Sequence, residues 1–348
     1  MRNHFSKTHG VWLAHLIIFS FAGESLFAQN DASEHNPIVL TLKRRAEALG
    51  QEGAYEAVLS LCDRIEMFVK NDPEVFMFRA NALGHLNRLT EANAALEKVA
   101  AIDPGFPSIQ LSLGNAALLL KDYIKALGHF QVAEAAITPS TPASEKVLIS
   151  IQIGRIHKHL GDVEKSLLTF SEVVQFAPEY PEAYVERGQL YLDEGEYEYA
   201  LADFQQALKL DPGNAQYSYH VGKLLFLLDK GESAIAYLQT ARQKMPGFYG
   251  IYYNLGRSLL SAGRSEEGEL YLSIADSLYK RSQVLGTAKT AAETRNTRES
   301  WLTYANMLYQ DRLYQEALPA YQMALNLGPS DAAIKQRVEE LKGLLRQK

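Results

Sequence analysis

Eight polar residues stand at one recurring place in this 348-residue chain: Glu47, Asn81, Asn115, Arg155, Gln189, Lys223, Arg257 and Asn306. All but Glu47 can donate hydrogen bonds. A ladder of amides and cations suits the carbonyls and carboxylates of an extended peptide, because each rung can donate to an acceptor on a passing chain. Tyr219, His220, Phe226, Tyr253, Asn254 and Tyr309 lie close to the rungs in sequence and add aromatic surface with polar tips, a composition that recognition patches favour. The competing explanation is solubility: an outward place on a helix must be polar, and Asn, Gln, Lys and Arg are common choices there.

Other chemistry is scarce. The chain has no phosphate-binding glycine loop, no nucleophile elbow and no paired-cysteine metal site, so the sequence predicts neither an enzyme nor a cofactor. His157-Lys158-His159 is the nearest approach to a metal motif, but two residues along a helix turn the ring direction by about 200 degrees, which separates the two imidazoles. Glu266-Glu267 and Glu339-Glu340 fall on faces that solvation explains. Cys62 is the single cysteine, which excludes an internal disulfide, and its place at the centre of a helix predicts a buried thiol. The net charge of −6 argues against a nucleic-acid binder, which needs a basic surface to displace counterions. A protein or peptide partner is the remaining class.

The elements that must position these groups are written in a 34-residue self-similarity, clearest where residues 181–214, 215–248 and 249–282 succeed one another. Counting slots from Pro181, the unit places Tyr184 in slot 4, Gly188 in slot 8, Tyr191 in slot 11, Gly195 in slot 15 and Tyr197 in slot 17. Ala200, Phe204, Ala207 and Pro212 follow in slots 20, 24, 27 and 32. Small residues in slots 8, 20 and 27 let two antiparallel helices approach, and large ones in 4, 11, 17 and 24 fill the space between them. Gly195 suits the turn, and Pro212 ends the second helix because proline cannot continue one. Tyr55, Tyr123, Tyr184, Tyr191, Tyr197, Tyr252, Tyr314 and Tyr321 occupy packing slots, so most of the aromatic richness belongs to the core.

This pattern resembles the tetratricopeptide repeat, in the form found in exported bacterial proteins. Sliding the register along the chain yields eight units, beginning near Val39, Pro73, Pro107, Val147, Pro181, Ala215, Tyr249 and Arg298. The resemblance implies an all-α fold: an α-solenoid of about eight helix pairs winding into a right-handed superhelix and closed by a C-terminal capping helix. It also implies that partners are gripped in a concave groove lined by slots 2, 5, 6, 9, 12 and 13 of the first helices. The candidate partner-binding residues are Asn81, Asn115, Arg155, Gln189, Tyr219, His220, Lys223, Tyr253, Asn254, Arg257 and Asn306, with the sixth and seventh units favoured. The subgroup of the family that clamps acidic chain ends uses a Lys and Asn set not reproduced here, since Glu47 and Phe78 replace asparagines and only Lys43 is retained.

The remaining segments complete the organisation. Arg2 and Lys7 precede an apolar stretch at 11–22, well short of the ~20 residues that span a bilayer. Residues 1–28 therefore read as a secretory signal peptide cleaved near Ala28, with a short leader at 29–38, an exported mature form in the periplasm or medium, and no membrane span. Seven repeats occupy 39–282 with a short insert near 141–146. A longer insert at 283–297 precedes the eighth repeat at 298–331, and it either extends the preceding helix, to about Leu285, or is mobile. Residues 332–348 form the cap, with Ile334, Val338, Leu341 and Leu345 on one face. The function these readings support is a non-enzymatic scaffold or adaptor. The alternative is a periplasmic scaffold of a polysaccharide or envelope export machine.

Overall fold

The computed structural model describes residues 36–106, 108–328 and 331–346, so the expected signal peptide and most of the leader lie outside the described residues. Seventeen helices and no strand occur among those residues. Two compact units divide at Glu194 and Gly195, inside the fifth repeat. The first unit holds α1 (Pro37–Gln51), α2 (Tyr55–Glu66), α3 (Pro73–His85), α4 (Leu89–Ile102), α5 (Ile109–Leu119), α6 (Tyr123–Ala135), α7 (Ala143–Leu160), α8 (Val163–Phe176) and α9 (Pro181–Glu194). The second holds α10 (Tyr197–Leu210), α11 (Ala215–Leu227), α12 (Gly231–Lys244), α13 (Tyr249–Ser261), α14 (Ser265–Arg295), α15 (Arg298–Gln310), α16 (Tyr314–Asn326) and α17 (Ala332–Arg346). Within each unit every helix packs on the next, the arrangement of an α-solenoid.

The turn between the two helices of a repeat is set by backbone conformation. Slot 15 has a left-handed φ in all eight repeats: Gly53, Asn87, Lys121, Gly161, Gly195, Asp229, Gly263 and Arg312, at +56 to +84°. Four of these are not glycine. At Lys121 and Arg312 a β-carbon is forced into a region that costs roughly 1–2 kcal/mol for L-residues, so neighbouring packing must hold the turn.

Slot 8 and slot 24 form the contact between paired helices. A β-carbon added to Gly114, Gly154, Gly222 or Gly256 would stand 2.6–2.9 Å from Phe130, Phe170, Leu238 or Leu272, the slot-24 side chain of the same repeat. Slot 24 also reaches the following repeat. The Cys62 thiol, buried and pushed up to about 12 by desolvation, donates to the Val75 carbonyl at 3.6 Å. Beside it, Arg79 in slot 7 donates to Asp63 and Glu66 in slots 25 and 28, both at 2.8 Å.

The two inserts behave differently. Residues 136–142 connect α6 to α7 through a turn in which the Thr138 N–H donates to the Thr141 hydroxyl at 2.9 Å, and α7 then starts four residues ahead of its repeat. The later insert is helical to Arg295, ten residues beyond Leu285, and closes on Asn296 at φ +46°. Its helicity has a packing cause: Leu285, Ala288 and Ala292 share a core with Tyr304, Ala305 and Leu308. Helix α17 buries Ile334, Val338 and Leu341 in the same cluster, leaving Leu345 half-buried.

Candidate functional site

The first helices carry the ladder, and the fold treats its rungs unequally. In the first unit, Asn81 and Asn115 line one cavity of about 20 Å³ with Ser112, Ala116 and Leu96, enough for roughly one water. Asn81 is only 8% exposed, and the Asn115 Oδ1 is buried without a hydrogen-bond partner. Arg155 is neutralised by Glu186 at 2.7–2.8 Å through Nη2 and Nε. Gln189 donates to Asp193 at 2.8 Å, and Asp193 also pairs with Lys158 at 2.9 Å.

Lys43 is similarly spent. Burial alone would lower its pKa, but the hydrogen bonds and charges of Asp72 and Glu74, at 2.6 and 2.7 Å, outweigh it and hold the ammonium above its ordinary range. His159 is exposed and stacks on Tyr123 at 4.6 Å, as His85 stacks on Tyr55 at 4.2 Å. Gln152, in slot 6, is 1% exposed with neither amide atom bonded, a position the sequence reading passed over.

In the second unit the residues of α11 and α13 come together, and the two helices touch directly. Tyr219 and Asn254 lie beneath the surface, 5% and 8% exposed. The Asn254 amide donates to the Gly250 carbonyl at 2.8 Å and to the Tyr219 hydroxyl at 3.4 Å. Gly250 is required here, since a β-carbon would stand 2.9 Å from that hydroxyl. Burial pushes the Tyr219 phenol well above its ordinary pKa, so it stays a neutral hydrogen-bonding group. His220 stacks flat on Phe204 at 4.3 Å, and Tyr219 meets Phe248 edge-on at 5.0 Å.

Above this support sit the exposed groups. Tyr253 is 46% exposed, and Arg257 donates to its hydroxyl at 3.0 Å. The Arg257 guanidinium also lies over the Phe226 ring at 5.2 Å and the Tyr253 ring at 5.8 Å. Lys223 is half-buried one repeat earlier. Neither α11 nor α13 contains a carboxylate. In the eighth repeat Asn306 accepts from the Tyr321 hydroxyl at 2.6 Å, and Tyr309 donates to Glu340 of α17 at 2.6 Å. The eleven candidates therefore do not form one surface. Tyr253 and Arg257 on α13 and Asn306 on α15 are exposed, Tyr219, His220 and Asn254 support the α13 pair, and in the first unit Arg155 and Gln189 are bonded within the fold while Asn81 and Asn115 line the small cavity.

Two family models, each described as the tetratricopeptide repeat, match residues 181–214 and 79–142. The chain carries tetratricopeptide repeats in both stretches. That family is a protein-interaction repeat that is generally non-catalytic, and the matching models indicate no enzyme family. No curated protein matches the sequence significantly. Similar solved structures include a tetratricopeptide repeat protein from Parabacteroides merdae ATCC 43184, with 16% identity, 78% of this chain and 98% of that chain covered, and a TM-score of 0.47. A double mutant named MamA RS-1 ArsTM shares 20% identity over 51% of this chain and 96% of that one, TM-score 0.46. YrrB, described as a tetratricopeptide repeat protein with an unusual peptide-binding site, shares 21% identity over 55% and 95%, TM-score 0.41. At these TM-scores the likenesses carry no weight for function. Among the described residues, no helix of this repeat protein is long and apolar enough to cross a membrane, and no group of three His, Cys, Asp or Glu could hold a metal ion.

Proposed function

We propose that this repeat protein is a non-catalytic scaffold that holds a segment of a partner protein against the first helices of its sixth and seventh repeats, α11 and α13. The observation that carries the reading is Arg257: it is exposed, oriented by the Phe226 ring and by the ring and hydroxyl of Tyr253, and bonded to no carboxylate among the described residues. Such a group has lost much of its rotamer freedom before binding, which lowers the entropic cost of a new hydrogen bond. Its planar donors suit carbonyl and carboxylate acceptors of a bound chain.

The test is the triple variant Lys223→Ala, Tyr253→Ala, Arg257→Ala, compared with the unaltered protein for capture of partners identified by crosslinking in the native cell envelope. Loss of capture at an unchanged melting temperature supports the assignment, and undiminished capture removes it. Export belongs to the same proposal, on the strength of Arg2, Lys7 and the apolar stretch at 11–22. N-terminal sequencing of the native protein decides it: a start at Gln29 supports cleavage after Ala28, and a start at Met1 contradicts it.

A further inference from the structure

Slot 24 is a buried peg in every repeat but one. In the other seven repeats, from Cys62 to Tyr321, its side chain is at most 5% exposed, whereas Leu272 of the seventh repeat is only half-buried. Slot 21 changes with it. Leu59, Leu201 and Ile235 are buried there in other repeats, and the seventh repeat has the exposed Glu269.

The cause is the length of α14. The first helix of the eighth repeat, α15, runs back along the far half of α14: Arg281 clasps Asp311 at 2.7 and 2.9 Å at one end, and Ala292 packs with Tyr304 and Ala305 at the other. About fifteen inserted residues shift that contact by about 22 Å along the helix. The near half of α14, with Leu272, Ser273 and Asp276, is left without the helix that follows in a regular repeat.

What covers the equivalent face elsewhere in the chain indicates the occupant. Between the first and second repeats, Val75 in slot 3 sits on Cys62 in slot 24, and Arg79, four residues on, donates to Asp63 and Glu66 in slots 25 and 28. Between the fourth and fifth, Arg187 in the same slot 7 donates to Ser171 in slot 25 at 3.2 Å. The seventh repeat keeps that set: the apolar Leu272 in slot 24, with the acceptors Ser273 in slot 25 and Asp276 in slot 28. The chain's own next helix does not answer it, because its slot 7 is Tyr304, which is packed beside Ala292. Among the described residues Asp276 pairs with Lys280 alone, at 2.6 Å and with both side chains more than half exposed, an interaction of small worth that a better partner can displace.

We propose that the near half of α14 is a docking seat for an amphipathic helix of a partner protein, one that carries an apolar residue followed four positions later by arginine. The seat lies on a second helix and is chemically distinct from the Arg257 surface. Its recognition follows helix-in-groove logic, with the apolar residue supplying burial on Leu272 and the arginine supplying register through Asp276 and Ser273.

The experiment uses the full chain and a labelled peptide of residues 70–88, which contains α3, lactam-stapled to hold it helical and read by fluorescence anisotropy. Saturable binding is expected, weakened at least about tenfold (~1.4 kcal/mol) by Leu272→Glu with Asp276→Arg in the protein. It should be weakened equally by Arg79→Asp in the peptide, and partly restored when the Asp276→Arg protein meets the Arg79→Asp peptide. The Lys223, Tyr253, Arg257 triple variant should bind the peptide as the unaltered chain does, which separates this seat from the first-helix surface. Excision of residues 283–297 returns the eighth repeat to regular spacing and should abolish peptide binding while helical circular dichroism is kept. No saturable binding to the folded chain, or binding indifferent to Leu272 and Asp276, overturns the proposal.

Discussion

The first helices of the fourth and fifth repeats and those of the sixth and seventh carry the same kinds of residue in slot 9, yet the fold uses them in opposite ways. Arg155 and Gln189 are satisfied by Glu186 and Asp193 on the same face. Arg257 instead rests on Phe226 and Tyr253, on helices that hold no carboxylate. A cation in a repeating slot is therefore not in itself a binding group. What decides its role is whether a neighbouring repeat supplies its counter-charge.

The largest effect that would break the comparison is expected at Gly250. Valine there meets the Tyr219 hydroxyl and the Phe248 ring at about contact-violating distance, and overpacking of this kind costs about 1–3 kcal/mol. Glu182→Val, at the equivalent slot on α9, should change the melting temperature little, because that side chain is exposed. Equal losses from the two substitutions would mean that the two faces are built alike.

A smaller contrast separates the two arginines. Arg155→Ala strands Glu186, whose side chain is 12% exposed, and an unsatisfied buried group of that sort costs about 1–3 kcal/mol. Arg257→Ala should cost about 0.5 kcal/mol or less, as expected for an exposed residue, while it reduces partner capture. Chemical denaturation of both variants sharpens the comparison, and a larger loss at Arg257 would make it a structural residue. The smallest effect concerns the turns that both regions share in form. Lys121→Gly and Arg312→Gly relieve a left-handed residue while adding unfolded-state entropy, for a net gain of about 0.5 kcal/mol. Gly263→Val, at the same slot, should be destabilising in the same thermal melts.

Much of the fold was legible because it is periodic. Gly114, Gly154 and Gly222 had to be small, Phe130, Phe170 and Phe204 had to be large, and Gly195 had to turn, each for a reason contained within one repeat. The candidate site was legible only in part. Lys223, Tyr253 and Arg257 could be picked out on α11 and α13, but nothing in the order of residues says that Arg155 meets Glu186, that Gln189 meets Asp193, or that Tyr219 and Asn254 sink beneath the surface. Gly250 left a signal, a glycine in a slot with no turn to make, and its meaning appears only beside the Tyr219 hydroxyl.

The sequence by itself determined the repeat length, the helix pairs, the small and large slots between them and the polar ladder, because those depend on contacts within about thirty-four residues that recur in register. Only the tertiary structure decided which rungs are neutralised, which tyrosines are buried, and that α14 runs on to Arg295 and carries the eighth repeat away from Leu272. Those outcomes depend on the direction in which one repeat meets the next, and the free energies of a covered leucine or a paired arginine belong to that meeting rather than to either sequence alone.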